Sequence, residues 1–377
     1  MFSAHPLKQV LKDTIADWDH DGTPQNVREN FWKIINCGTV ALGAEVLASG
    51  AEWKIVYHTC KSRFCPSCGA RAAALWQEEL GAGLPNIPYI EINFTMPKMF
   101  WPILQQNPSL LRDLPALGAA AIEFLAKAKY GVRVILMVVQ QTYGGFLNFY
   151  PHLHTLVSAG GLKISSGRWI ARLNFDKHQL MLAWRYALLA YLDEAIRADV
   201  LKSDLRKDEL RKMLKTEGER IWNVFIGRSV SKRIVVDHIG RYIRKPPIAQ
   251  RRLRRISEEE IEYLAKDTKH QRFSPVRYLK KAFVAMLIPH VLDRYRNSMR
   301  YFGLLAPRLK NMLSVLFLLL KQKRQPRPLP LSWAQMTYKT FGTDPSVDSR
   351  GEQMGRVGRL GPANAQDRRF FTDSSFL

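Results

Sequence analysis

The chain has little cysteine, only four in 377 residues. So few cysteines exclude the disulfide-rich scaffolds of small secreted proteins. Long apolar runs are also missing: the longest, residues 312–320, is interrupted by Ser314 and is shorter than the ~20 residues that span a bilayer. We therefore expect no membrane span. Residues 1–5 lead into no apolar segment, so we expect no secretory signal and a cytoplasmic location.

Acidic residues are also scarce, with 33 Asp and Glu against 57 Lys and Arg and a net charge of +24. Such an excess favours a polyanionic partner, nucleic acid first and an anionic membrane surface second. The hydrophobic content of 46% is enough for folded cores. The densest cationic stretch, residues 228–255, contains a single acid, Asp237. Its candidate phosphate contacts are Arg241, Arg244, Arg251 and Arg252.

Three of the cysteines lie within nine positions, as Cys60, Cys65 and Cys68. Thiolates in a C-x-x-C pair followed by glycine are typical of a zinc knuckle, because they converge on a tetrahedral ion. The fourth ligand is Cys37 or His58, with Cys37 as the first candidate. The alternatives are ordinary buried cysteines and, less favoured, a redox pair. The zinc is either purely structural or part of a module in which the flanking Lys61 and Arg63 touch phosphates.

The β-branched run 132–139 continues into Gln141, and the chain then returns through residues 152–158. These segments are predicted to be antiparallel neighbours. Because side chains alternate along a strand, His152 and His154 should share a face while the leucine between them enters the core. Two such imidazoles suit a divalent metal ion, and Gln141 is the best third ligand. The alternative interpretation is that the two histidines are unrelated polar residues, as is usual for an isolated H-x-H.

A metal-bound phosphodiester requires a nucleophile, and Tyr242 is the candidate. Residues 231–244 are predicted to be helical and to end before a proline pair. Positive charge beside a phenol favours the phenolate, so the neighbouring cations suit a tyrosine that attacks phosphorus. Lys245 would protonate the leaving oxygen or hold the phosphate. The alternative is a tyrosine that only packs.

The chain resembles the HUH rolling-circle transposases of the insertion-sequence-91 type, including the insertion-sequence common-region proteins. The matching segments, in order, are residues 58–69, 93–97, 150–154 and 240–248, with a weaker match at 300–305. The resemblance implies cleavage and joining of single-stranded DNA at element ends, some of them hairpins. It also implies Mg²⁺ or Mn²⁺ on the histidines, a 5′-phosphotyrosine at Tyr242 and a place at the bacterial nucleoid.

Three departures from the family pattern are visible. His238 stands where two-tyrosine members carry a second tyrosine, so the chain is similar to the single-tyrosine subtype. Residues 48–50 lack the extra cysteines of relatives, and residues 344–351 lack a C-x-x-C-G. Two other functions remain open. One is a replication initiator or relaxase with the same chemistry, and the other is a non-catalytic zinc-containing DNA-binding protein.

The predicted fold class is α+β, with a central antiparallel sheet flanked by helices as in HUH endonucleases. We expect four regions. They are a helical and zinc-knuckle module (1–84), the nuclease domain (85–255), a helical extension (256–322) and a Pro-rich linker with a disordered tail (323–377).

Overall fold

A computed structural model describes residues 6–239, 246–267, 270, 272–293 and 297–362. The helices are α1 (Pro6–Asp13), α2 (Ile15–Trp18), α3 (Gln25–Ile35), α4 (Pro66–Gly83), α5 (Phe100–Gln106), α6 (Leu114–Tyr130), α7 (Lys177–Arg197), α8 (Lys207–Glu219), α9 (Lys232–His238), α10 (Lys280–Leu287), α11 (Lys310–Leu319) and α12 (Trp333–Phe341). The strands are β1 (Ala44–Ser49), β2 (Glu52–Tyr57), β3 (Tyr89–Phe94), β4 (Val132–Arg133), β5 (Ile135–Tyr143), β6 (Phe149–Ser158), β7 (Gly161–Lys163), β8 (Arg168–Ile170), β9 (Val224–Ile226), β10 (Leu253–Ile256), β11 (Glu260–Asp267), β12 (Arg272–Leu279), β13 (Met299–Gly303) and β14 (Gly355–Leu360). Across these ranges, no helix is long and apolar enough to cross a membrane.

A five-stranded antiparallel sheet lies at the centre, in the order β13-β5-β6-β3-β9. The apolar segments that form β5 and β6 are neighbours, as the sequence predicts. The α+β class with flanking helices is therefore confirmed. One edge strand, β13, comes from beyond residue 255, so the sheet extends past the expected end of the nuclease domain.

Both faces of this sheet are covered by helices because the strands are apolar on both sides. On one face, Ile92, Leu153 and other inward residues pack in a cluster with α6 and α7. On the other face, Met137 and Leu156 belong to a cluster with residues of α4, α9 and α11. The predicted site residues lie on this second face, so α4 and α9 determine what surrounds them.

The N-terminal helices share a separate core with a second sheet of strands β10, β11 and β12. The expectation of a helical extension over 256–322 is therefore corrected: its first part is a three-stranded antiparallel sheet, and helices follow only from Lys280. Pro275 lies in β12, an outer strand of the sheet. Proline is tolerated there because an edge strand leaves backbone groups that need no partner in the sheet.

Residues 323–362 differ from the expected linker and disordered tail, and the rest of that prediction, residues 363–377, lies outside the described residues. The described part contains α12, which begins with a Ser332 capping box, and β14, which pairs with β1. The sheet β14-β1-β2 thus joins the C-terminal segment to the zinc-knuckle module. The predicted boundary at residue 84 is correspondingly incomplete, since one strand of that module comes from residues 355–360.

Candidate active site

The two histidines lie side by side on β6, at the centre of the main sheet. His152 is 8% exposed, and its Nε2 is 3.0 Å from Nε2 of His154. The intervening Leu153 points to the opposite face and is fully buried. Strand alternation thus places the imidazoles together as the sequence predicts.

The two imidazoles face one another through their Nε2 atoms. His152 Nδ1 is 2.8 Å from the carbonyl oxygen of Tyr150, and His154 Nδ1 is 2.9 Å from Glu91 Oε1. Each partner is an acceptor, so each Nδ1 carries the hydrogen in the neutral ring. When both rings are neutral, the facing Nε2 atoms both present lone pairs, and either a shared proton or a bound cation relieves their repulsion. Metal–nitrogen bonds of about 2.1 Å at right angles separate two nitrogens by roughly 3.0 Å, so the donor pair fits a divalent ion.

The surroundings of His152 favour its neutral form, which can bind a metal ion. Burial, together with the nearby His154, lowers the pKa of His152 to about 3. Burial opposes ionisation of Glu91, but hydrogen bonds from His154 and His238 outweigh it and lower the pKa of this carboxyl. A carboxylate that accepts from the outer nitrogen of a metal-binding histidine orients the ring and raises its basicity.

Gln141 lies directly opposite His152 in the β5–β6 ladder, so the two side chains share a face. Its role as the third ligand stays a prediction. Gln141 also lines a cavity of about 380 Å³. Asn93 lies opposite His154, and its buried Oδ1 has no hydrogen-bond partner among the residues described.

The helix that precedes the predicted nucleophile approaches the same centre. His238, at the end of α9, places its Nε2 3.3 Å from Glu91 Oε2. Pro246 packs tightly against Gly69 of α4. A Cβ added at Gly69 would lie 2.6 Å from Pro246 Cγ. The predicted residues Arg241, Tyr242, Arg244 and Lys245 lie outside the described residues.

The four cysteines converge on one point. Their sulfur atoms all lie within 4.8 Å of one another, and three of the separations are 3.6 Å (Cys37–Cys68), 3.6 Å (Cys60–Cys68) and 3.9 Å (Cys65–Cys37). Four thiolates held at about 2.3 Å around a tetrahedral zinc are separated by about 3.8 Å, so the geometry fits structural zinc. His58 is turned away, since its ring contacts the carbonyl of Leu42 and Glu45.

The surroundings of Cys37 and Cys68 favour the thiolate form, whereas the hydrogen bond to Cys37 and burial raise the pKa of Cys60 and Cys65. Arg71 Nη2 is 3.4 Å from Cys68 Sγ, and the backbone N–H of Cys60 donates to Cys37 Sγ at 3.4 Å. Hydrogen bonds from Cys37, Cys60 and Cys65 lower the pKa of Cys68, while burial opposes this. A disulfide has a sulfur separation of about 2.05 Å, so these cysteines are not paired covalently.

The predicted DNA contacts divide into two groups. Lys61, Arg63 and Arg251 are exposed, although Arg63 also donates to Asn297. Arg252 is different: it donates to the carbonyls of Leu264 and Gly145, and its guanidinium lies over the Tyr263 ring. The prediction that Arg252 contacts phosphate is therefore corrected to a structural role, because these contacts engage its guanidinium inside the protein.

Sequence reasoning missed Glu91, which bridges His154 and His238. A signal was present, since Glu91 and Asn93 are polar residues two apart on a strand whose alternate residues are apolar. Strand alternation alone would have placed both on one face. It could not have shown which face, because that depends on pairing with β6.

Comparisons with known proteins agree with both parts of this site. A family model described as "Transposase zinc-binding domain" matches residues 7–96, and one described as "Putative transposase" matches residues 135–312. The chain is 28% identical over 361 residues to the "Transposase for insertion sequence element IS801" of Pseudomonas savastanoi pv. phaseolicola, covering 91% of this chain and 87% of that protein.

A second relative is the "Putative transposase y4qJ" of Sinorhizobium fredii (strain NBRC 101917 / NGR234), which is 29% identical over 290 residues, or 72% of each chain. No solved structure matches the chain. The two family models match the cysteine cluster and the central sheet with its histidine pair, and they cover more than half of the residues. The chain therefore belongs to the insertion-sequence-91 type of transposases.

Proposed function

We propose that the protein cuts and rejoins single-stranded DNA at the ends of a mobile element, and so drives rolling-circle transposition. The observation that carries this proposal is the His152–His154 pair, whose Nε2 atoms lie 3.0 Å apart on one strand face and whose Nδ1 atoms each lie within hydrogen-bond distance of an acceptor. Mg²⁺ or Mn²⁺ held there with Gln141 would polarise the phosphoryl oxygens and neutralise charge that develops during attack.

The chain's own residues would supply the rest of the reaction. The Tyr242 phenolate attacks phosphorus, a P–O bond forms to the tyrosine, and the bond to the 3′ oxygen breaks. Lys245 delivers a proton to that leaving oxygen or holds the phosphate. The products are a 5′-phosphotyrosine and a free 3′-hydroxyl. Because the bond energy is kept in the phosphotyrosine, the hydroxyl of another strand can reverse the step without ATP.

The proximity of His238 to Glu91 supports Tyr242 in this role. His238 lies four positions before Tyr242, and its Nε2 is 3.3 Å from the carboxylate that holds His154. The cationic residues Arg241 and Arg244 flank Tyr242 in sequence. Positive charge there would attract the DNA backbone and favour the phenolate. The exposed Lys61, Arg63 and Arg251 would extend the DNA-binding surface.

The test is the formation of a covalent adduct. Full-length protein is incubated with labelled single-stranded DNA from the element ends, with and without Mn²⁺, and the product is separated under denaturing conditions. We expect a Mn²⁺-dependent adduct that is lost in Tyr242→Phe and in His152→Ala. Tyr186→Phe is the matched control, because Tyr186 is a surface residue with 76% exposure. An equal adduct in Tyr242→Phe and wild type would overturn the nucleophile, and full cleavage by His152→Ala would overturn the metal site.

A further inference from the structure

The cavity beside Gln141 has the composition of a base-binding pocket. Its volume is about 380 Å³, which is within the range of about 300–1,000 Å³ for small-ligand sites. It lies between α3, the cysteine segment, the end of β5 and the segment before β13. Carboxamides occur on three sides of it: Asn30 on α3, Gln140 and Gln141 on β5, and Asn297 before β13.

Carboxamides present a donor and an acceptor together, which matches the edge of a nucleobase. The amide of Asn30 accepts from the Ser62 hydroxyl at 2.8 Å and donates to the Asn26 carbonyl at 2.8 Å. These contacts fix the group and use one of its two hydrogens and one of its two lone pairs. Asn297 has one such contact, since its Oδ1 accepts from Arg63 Nη1 at 3.2 Å. The Asn30 amide is therefore oriented before any ligand arrives.

The charges around the cavity favour a base over a phosphate. Two exposed cations, Lys33 and Arg63, line it together with two acids, Glu29 and Asp293. The acids would repel a phosphate, whereas a neutral base is indifferent to them. Aromatic rings are available for stacking, since Phe64 and Tyr143 are also part of the wall.

We propose that this cavity holds one base of the DNA strand, next to the phosphate that is cut, and that Asn30 and Asn297 recognise that base. The position of the base next to the cut phosphate rests on the proposed function. It follows from Gln141, which belongs both to the cavity wall and to the expected metal site. A base seated against Gln141 would fix the register of the strand over the histidine pair. The site would thus determine at which nucleotide the strand is cut.

Two measurements on the full-length protein test this proposal. In the first, saturation-transfer NMR measures binding of each of the four deoxynucleoside 5′-monophosphates in the absence of metal. We expect one of them to bind at least about tenfold more tightly than another, because a matched amide contact discriminates between bases by this order. Asn30→Ala and Asn297→Ala, which change separate elements, should each reduce this preference. Asn86→Ala is the control, since Asn86 is an exposed residue whose contacts to Gln322 use only its backbone.

In the second measurement, element-end DNA with randomised nucleotides around the cut is incubated with Mn²⁺, and the adducts are sequenced. Wild type and Asn86→Ala should prefer one base at a single position, and the two cavity variants should lose that preference by about tenfold. Unchanged preferences in both variants, with unchanged mononucleotide binding, would overturn the pocket. A wild type that discriminates between mononucleotides but forms no Tyr242-dependent adduct would overturn the proposed function and leave the pocket standing.

Discussion

Replacing Glu91 with glutamine should weaken Mn²⁺ binding without unfolding the protein. The Glu91 carboxylate accepts from His154 Nδ1 at 2.9 Å and lies 3.3 Å from His238 Nε2. The substitution keeps the size of the side chain but removes its charge. It also lets an N–H face His154, which would turn the hydrogen of that ring toward Nε2 and abolish the lone pair on the metal side.

The magnitude follows from the role of the carboxylate. Loss of a group that orients a metal-binding histidine costs about 10- to 100-fold in metal affinity. This corresponds to about 1.4–2.8 kcal/mol of binding free energy. The Glu91 side chain is only 20% exposed, so solvent does little to replace the lost interaction. We therefore expect the dissociation constant for Mn²⁺ to rise by a factor in that range.

Isothermal titration calorimetry of full-length protein with Mn²⁺, without DNA, measures this constant directly. Glu209→Gln is the matched control: Glu209 accepts from the Arg206 backbone at the start of α8, a contact that glutamine also makes. Thermal unfolding of both variants checks the fold. An unchanged Mn²⁺ affinity in Glu91→Gln, with a normal unfolding temperature, would refute the reasoning that Glu91 orients His154.

Three further changes test other parts of the molecule. Cys68→Ser should reduce bound zinc from one equivalent to almost none and lower the free energy of unfolding by several kcal/mol, whereas Ser67→Ala should change neither; elemental analysis and denaturant titration measure both. Burial lowers the pKa of His290 to about 4, so between pH 6.5 and 4 the unfolded chain binds a proton that the folded chain does not. The free energy of unfolding should fall as the pH falls through this window, by on the order of 3 kcal/mol in total. Denaturant titrations at pH 7 and pH 4.5 should show a smaller loss of stability in His290→Gln than in wild type. Gly145→Ala should destabilise the protein by more than about 2 kcal/mol, because the new Cβ would lie 1.9 Å from a carbonyl oxygen of β11. Gly83→Ala is the control: its new Cβ meets nothing within 4 Å, so the same denaturant titration should show no change in stability.

The features that the sequence predicts well are those with a local period. Alternation along β6 was sufficient to place His152 and His154 on one face, and the turn between β5 and β6 was sufficient to bring Gln141 to them. The knuckle is local too, since Cys65 and Cys68 begin α4 within one helical turn. The fourth cysteine was harder to assign, because Cys37 reaches the cluster only after the β1–β2 hairpin folds back.

The features that the sequence does not predict depend on distant partners. The Gly- and Arg-rich segment that forms β14 has no apolar alternation, and it becomes a strand because β1, some three hundred residues earlier, offers a free edge. Likewise β12 contains a proline and two arginines, and it is held by pairing with β11. Glu91 acquires its role only when the β3–β6 register brings it to His154.

The zinc cluster and the histidine pair are connected through α4. This helix begins immediately after Cys65, and Cys68 lies in its first turn. Further along, Gln77 donates to Asp237 at 2.9 Å, so α4 holds α9 by a side-chain contact as well as by packing. The next residue, His238, reaches Glu91 and through it His154. A zinc ion that fixes the start of α4 therefore also fixes the end of α9, from which the chain continues to Tyr242. The cysteine cluster is thus linked, through α4 and α9, to Glu91 and the histidine pair.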